Sequence, residues 1–235
     1  MLCKIAQLYV DVPDTGNMRE RCLSYVCENT ASADIVIDKN KYNFDKYKGV
    51  PENSVIYMES CAQYCRALLH YNGLMLHASA IELNGKAYLF SGPCGTGKST
   101  HSRLWLELFG ENAAVINDDK PTLRSINGKW FAYGTPWCGK DGINLNRKAS
   151  LAGICFLKQA NQNKIRRLDK KEAVSKILWQ TVRRFDSADK LDLLLENIES
   201  LVNSIPMYEL ENLPQTSAAQ LSYATMFEGA KEYNL

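Results

Sequence analysis

A chain of 235 residues with 46% hydrophobic and 23% charged side chains has the composition of an ordinary globular protein, enough for one sizeable domain or a main domain with a small appended one. Its 28 basic and 26 acidic residues nearly cancel, so charge gives no ground for a nucleic-acid or membrane partner. No stretch approaches the ~20 apolar residues of a membrane span, and the start "MLCKIAQLYVDVPD" lacks the basic, apolar and small-residue zones of a secretory leader.

In chain order, "KIAQLYVDV" (4–12) alternates as a strand and "ADIVID" (33–38) as a second, with a short helix expected over "NMRERCLSYVCEN" between them. A polar connector broken by Gly49 and Pro51 precedes a helix that starts at Ser54 and stops at Gly73. Residues 1 to 72 thus form an expected α+β lead-in, and 73 to 235 the main domain. Two apolar runs flank Asn84-Gly85, a strong two-residue hairpin signal, and the signal returns at Asn127-Gly128. "KSTHSRLWLELF" predicts a helix ending at Gly110, "AAVINDD" a strand and "LAGICFLKQ" another. Helices over about 170–184 and 187–204 precede a last strand, "IPMYELE", and a terminal helix capped by Thr216 or Ser217. The fold class read from this order is α/β (α+β), a mixed sheet with flanking helices.

Eight cysteines without a leader point to reduced thiols in a cytoplasmic protein. The close pairs Cys22/Cys27 and Cys61/Cys65 lack the two-residue gap of zinc sites and read as small packing residues.

The chemistry concentrates in "SGPCGTGKST", residues 91–100, which matches Gly-x-x-x-x-Gly-Lys-Ser between a predicted strand and a predicted helix. Gly92, Gly95 and Gly97 let successive N–H groups converge on phosphate oxygens, and Pro93, Cys94, Thr96 and Thr100 are expected to share in binding the nucleotide, Cys94 as a small spacer or else a reactive thiol at the helix start. The helix start adds its positive end. Lys98 is typed to reach the β- and γ-phosphates and Ser99 to hold Mg²⁺, so the expected cofactors are ATP and Mg²⁺. Twenty residues beyond Lys98 come Asp118 and Asp119. The expectation is that their strand lies directly beside the loop, one aspartate holding Mg²⁺, assigned to Asp118, and the other taking a proton from an attacking hydroxyl. His77, in the apolar "LMLHASA", is a further candidate, while His101 and Arg103 read equally as ligand contacts or surface residues. "GTPWCGKDG" (134–142) is a stiff, glycine-rich loop, with Lys140 suited to transferring phosphate charge and Trp137 to stacking on a ring or walling a pocket.

The segments "LHASAIELNGKAYLFSGPCGTGKSTHSRLW", "VINDDKPTLR" and "YGTPWCGK" together resemble the HPr kinase/phosphorylase-like superfamily, and more closely its small bacterial members, some of them associated with peptide maturation. The resemblance spans roughly residues 74–160. It implies a core like that of ATP-dependent phosphoenolpyruvate carboxykinase, with Lys98 and Ser99 as ATP and Mg²⁺ residues. It also implies Asp119 as general base beside Asp118, His77 as the histidine ahead of the loop, and Arg147 near a phosphate-contacting arginine. The family's glutamate metal ligand has no counterpart in "YGTPWCGKDGINLN". The expected function is a Mg-ATP-dependent kinase acting on a serine-type hydroxyl of a protein, peptide or small molecule. The alternative is a nucleotide-dependent switch protein with weak ATPase activity.

Overall fold

The structure, a computed structural model, describes residues 1–28, 32–182 and 187–235. It opens with β1 (Leu2–Ile5) and β2 (Leu8–Asp11). The strand expected over 4–12 is instead a hairpin, because Ala6 and Gln7 both take left-handed backbone, φ 49° and 63°, and reverse the chain in two residues. Nothing in their residue types signals this. The predicted helix over 17–29 shortens to α1 (Met18–Cys22) and a 3₁₀ turn at Leu23–Tyr25, and its last residue, Asn29, lies outside the described residues. β3 (Ile35–Val36) joins β2 in parallel to complete a three-stranded sheet. α2 (Glu52–Leu68) begins after Pro51 and gives way to a 3₁₀ turn that ends at Asn72. Asn72 supplies the left-handed residue, φ 54°, that the sequence assigned to Gly73.

Gly73 already belongs to β4 (Gly73–Met75), which is followed by β5 (Ala78–Leu83), β6 (Lys86–Ser91) and α3 (Lys98–Phe109). Then come β7 (Ala113–Asn117), β8 (Thr122–Ile126), β9 (Lys129–Tyr133), the long β10 (Lys148–Gln159) and β11 (Lys164–Arg167), the last not foreseen. α4 (Lys170–Gln180), α5 (Ala188–Ser204), β12 (Met207–Asn212) and α6 (Thr216–Glu232) complete the chain. α4 is fixed at its start by a reciprocal cap between Asp169 and Glu172. It stops at Gln180, and residues 183 and 184 of the predicted helix lie outside the described residues. α6 begins at Thr216 itself, so neither predicted cap residue serves as one. Both Asn-Gly hairpins form as read, with positive φ at Asn84, Gly85, Asn127 and Gly128.

The large sheet runs β4-β8-β9-β10-β6-β5-β7, with β12 on β10 and β11 on β12. β4 and β5 stand far apart in this order although only Leu76 and His77 separate them, and the same holds for β7 and β8 across residues 118–121. The sheet must therefore curl until its ends meet. They meet through backbone bonds, Leu76 N–H to Pro121 O (3.3 Å) and Ala78 N–H to Asp119 O (3.0 Å). These continue the β4–β8 register, Met75 opposite Thr122, toward β5–β7, Ala80 opposite Asn117. On the other edge of this seam, His77 N–H donates to Gln180 O and Val182 N–H to Met75 O.

Alternation along the strands divides the core. Ala87 and Leu89 of β6 face α4 and α5 through Ile177, Leu194, Ile198 and Leu201, whereas Tyr88 and Phe90 face Trp105 of α3 and Met226 of α6. A third cluster joins the small amino-terminal sheet to α2 and reaches the main sheet at Met75 and Tyr133 and the loop after it at Trp137. Among the described residues no helix is long and apolar enough to cross a membrane.

Gly134, at the end of β9, is wedged between two chain segments. A Cβ there would stand 1.8 Å from Leu145 O and 2.6 Å from Ile116 O, both backbone atoms that cannot rotate aside. We expect Gly134→Ala to cost about 3 kcal/mol, the upper end for overpacking. Chemical denaturation of the two proteins checks this, and equal midpoints would contradict the wedge.

Candidate functional site

β6 hands the chain directly to the glycine loop. Ser91, fully buried, donates to His77 O (2.8 Å) and so ties the start of the loop to the seam. Gly92, Gly95 and Gly97 all have positive φ, 152°, 82° and 96°. A side chain at Gly92 would also meet Thr96 Oγ1, which donates to Pro93 O (2.8 Å). Gln159, at the end of β10, donates to Gly95 O (2.9 Å) and holds the loop from the far side. α3 then starts at Lys98. The N–H groups of its first turn have no partners within the helix and carry its positive end. The Lys98 ammonium is buried and donates to the carbonyls of Gly92 (2.9 Å) and Pro93 (3.1 Å). Burial lowers its pKa, opposed by the charge of Asp119. Pro93, Cys94 and Ser99 are exposed, and Thr100 is half-buried.

The paired aspartates sit not on a strand but in the bend after it, since β7 ends at Asn117. Nor is β7 directly beside β6: β5 lies between them, and the acidic turn reaches the loop by way of the seam. Asn117 builds this turn. Its buried carbonyl accepts from Asp119 N–H (2.9 Å) and Lys120 N–H (2.7 Å), while its amide donates to Thr135 O (3.1 Å). Thr135 closes the unit by donating to Lys120 O (2.9 Å).

The two carboxylates then part company. Asp118 turns to the glycine-rich loop, where it accepts from Gly139 N–H (2.6 Å), and a Cβ on Gly139 would crowd that carboxylate. Burial raises the Asp118 pKa. Asp119 lies between His77 Nε2, 3.3 Å from its Oδ1, and the Lys120 ammonium, paired to its Oδ2. Burial alone would push its carboxyl up, but the hydrogen bond to His77 and the charge of Lys120 prevail and hold it at about 2. Lys120 also donates to the Tyr57 hydroxyl (3.0 Å), which itself donates to Cys138 O (3.0 Å).

Asp119 and Lys120 border a cleft of about 570 Å³. Arg21 and Lys140 line it with Asp119 and Lys120, together with an apolar wall from α2 that includes Met58 and Ala62. Arg21 lies over the Tyr57 ring, 5.0 Å from its centre, and donates to Cys138 O (3.1 Å). Asp119 and Lys140 thus border one cleft, His77 and Asp118 adjoin it through Asp119 and Gly139, and Lys98 feels the charge of Asp119.

Three other candidates are not. Arg147 is exposed and paired with Glu82 Oε2 (3.3 Å), and Glu82 lies four residues, about 13 Å, along β5 from Ala78. Trp137 is fully buried, stacked on Tyr64 with ring centres 4.6 Å apart and donating to Ser60 Oγ (3.1 Å), so it supports the loop from within. His101 packs edge-on to Phe90 and meets Ser222 of α6 rather than the acidic turn. The sequence reading passed over Asn117, Lys120, Thr135 and Tyr57. The "NDDK" run carried a local signal for the first two, but Tyr57 is 63 residues from Lys120.

A carboxyl held below the ordinary 3.8 in the folded protein contributes stability fully above about pH 4 and loses it as pH falls through about 2. We expect Asp119→Asn to destabilise by roughly 2 kcal/mol at pH 6, with the difference fading toward pH 2. Urea denaturation of both proteins across that range is the measurement, and a pH-independent difference would contradict the ion-pair assignment.

Comparison with known proteins adds three findings. No curated protein matches the chain. Among solved structures, the Hpr(Ser) kinase/phosphatase from Coxiella burnetii is similar over 65% of this chain and 98% of that one, at 12% identity and a TM-score of 0.37, a likeness too loose to inform the chemistry. The family described as "SynChlorMet cassette protein ScmC" matches residues 45–215, nearly three quarters of the sequence. The chain therefore belongs to the family of SynChlorMet cassette protein ScmC.

Proposed function

We propose that the protein is a Mg-ATP-dependent phosphotransferase that acts on a hydroxyl presented from the 570 Å³ cleft. The observation that carries this reading is the position of Asp119. It borders the cleft, and its charge acts on Lys98 of the glycine loop. A group there can touch an acceptor on one side and serve a phosphate-binding loop on the other.

The residues present fit the cofactor. Three left-handed glycines, free first-turn N–H groups and a buried ammonium make a concave cationic cradle. Ser99 and Asp118 offer oxygen to Mg²⁺, an ion that takes few protein ligands besides phosphate and water. Bound Mg-ATP would supply the transferable phosphoryl group and neutralise its charge.

The remaining work falls to the chain. Lys98 and the loop N–H groups hold anionic oxygens, and the cleft walls keep water from the acceptor. Asp119 orients the acceptor hydroxyl and takes its proton, with His77 fixing the carboxylate from behind. A carboxylate held at about 2 is always ionised at neutral pH but is a weak base. It therefore takes the proton late, once the hydroxyl oxygen has begun to bond and has become acidic. Lys120 and Lys140 bring positive charge to the same rim.

The test is transfer of label from γ-labelled Mg-ATP into protein and small-molecule fractions of a host extract. We expect an acceptor to be labelled by the wild type and Asp119→Asn to lower the rate by about 10²- to 10⁴-fold with ATP binding unchanged. Lys98→Ala should weaken both binding and transfer. Label found only in inorganic phosphate, equally with either protein, would favour a nucleotide-dependent switch instead.

A further inference from the structure

Arg21, on α1, borders the cleft beside Asp119, and phosphoryl transfer as derived above gives it no task. Its guanidinium is nonetheless held in place. It lies over the Tyr57 ring, 5.0 Å from the centre, and Nη1 donates to both the carbonyl oxygen and Sγ of Cys138, each at 3.1 Å. A ring, a carbonyl and a thiol orient a guanidinium without neutralising it. Among the described residues no carboxylate pairs with Arg21, and its Nε and Nη2 have no hydrogen-bond partner. Those two nitrogens offer the parallel N–H fork that grips both oxygens of a carboxylate. The residue is half-buried, so solvent and solutes reach it.

The charges around the cleft do not balance. Of the described residues that line it, Asp119 is the one carboxylate, and Lys120 already answers it. Arg21 and Lys140 remain. Lys140 suits the phosphoryl group in transit, which leaves the single charge of Arg21 for the acceptor. A carboxylate matches one charge, whereas a phosphate monoester, at about −1.5 to −2, exceeds it. Met58 and Ala62 of α2, with Val182, add apolar surface to the same space. A mostly apolar wall with a few fixed polar groups is how a pocket sets the orientation of what it binds.

The span fits one molecule. Cys138 O accepts from Arg21 Nη1 (3.1 Å) and from the Tyr57 hydroxyl (3.0 Å), which in turn accepts from Lys120 Nζ (3.0 Å). These three bonds place Arg21 Nη1 no more than about 9 Å from the ammonium paired with Asp119. A small hydroxy acid bridges such a distance, as does a peptide within about three residues at ~3.3 to 3.6 Å each.

We propose that the acceptor carries a carboxylate close to its reacting hydroxyl and that Arg21 receives this carboxylate while Asp119 faces the hydroxyl. The proposal rests on the phosphotransferase reading given above and adds the chemistry of its acceptor. Arg21 is then a specificity residue, which turns the hydroxyl toward Asp119 and rejects neutral alcohols.

The experiment is equilibrium titration calorimetry of the full chain, saturated with a non-hydrolysable Mg-ATP analogue, against matched probes. Glycerate is compared with glycerol, and blocked serine peptides carrying a glutamate one to three residues to either side with the same peptides carrying glutamine. We expect a carboxylate member to bind roughly ten- to a hundredfold more tightly than its neutral partner. A preference confined to glycerate identifies a free hydroxy acid, and one confined to the peptides an acidic segment. Arg21→Gln should bring the carboxylate member down to the neutral level and leave the neutral member unchanged. Equal binding within every pair of the wild type, or none, would overturn the proposal, and that comparison needs no variant to fold. Tighter binding of glycerol 3-phosphate than of glycerate would overturn the choice of carboxylate. A folded Arg21→Gln that keeps the preference would overturn the role of Arg21. Failure of the nucleotide analogue itself to bind would instead overturn the phosphotransferase reading, and this proposal with it.

Discussion

The closure of the curled sheet is the constraint from which the candidate site follows. Four short backbone bonds hold it: Leu76 to Pro121 and Ala78 to Asp119 on one edge, His77 to Gln180 and Val182 to Met75 on the other. Because strands β4 and β5 continue one another, as do β7 and β8, each pair needs only a few residues to cross the seam. Those linking residues include His77, Asp118, Asp119 and Lys120. Polar side chains in a fully formed strand would have alternated between two packed faces. At a seam they can converge, and the Asn117 carbonyl fixes the convergence by taking both N–H groups of the turn.

The electrostatics of the turn follow from that geometry. Burial resists charge on both aspartates, but only Asp119 has a histidine and an ammonium to offset it. Asp118 has one backbone N–H and a like-charged neighbour, so its proton affinity moves the other way. Two adjacent residues of one chemical type thereby acquire opposite proton affinities. The difference arises from His77 and from Lys120, the latter held in place by Tyr57 of α2, a residue of the amino-terminal segment.

That segment is more than a lead-in. Arg21 and Tyr57 line the cleft that Asp119 and Lys120 border. Tyr64 stacks on Trp137, and Arg124 of β8 reaches back to Ala6 O (2.6 Å). The amino-terminal side contributes cations and an apolar helix wall to the cleft beside Asp119, and the carboxyl ends of β10 and β12 border a second cavity beside the glycine loop. On α6, Ser222 meets both His101 and Trp105 of α3.

By itself, the sequence determined what local chemistry can determine. The two Asn-Gly hairpins, the strand–glycine loop–helix unit and the positions of α3, α5 and β10 all follow from turn geometry, capping and periodicity within a few residues. The loop lysine and the aspartate pair were legible as candidates from motif and spacing, but not that β5 would stand between their strands. Only the tertiary structure decided the rest. Ala6-Gln7 reverses the chain with no residue type that asks for it, and β4 separates from β5 because the sheet closes there. Arg147 is drawn to Glu82, while Tyr57, 63 residues from Lys120, becomes its partner. The physical reason is common to these cases: side-chain pairing across a curled sheet depends on which strands become neighbours. That is set by the closure of the whole ladder and leaves no mark in a short window of sequence.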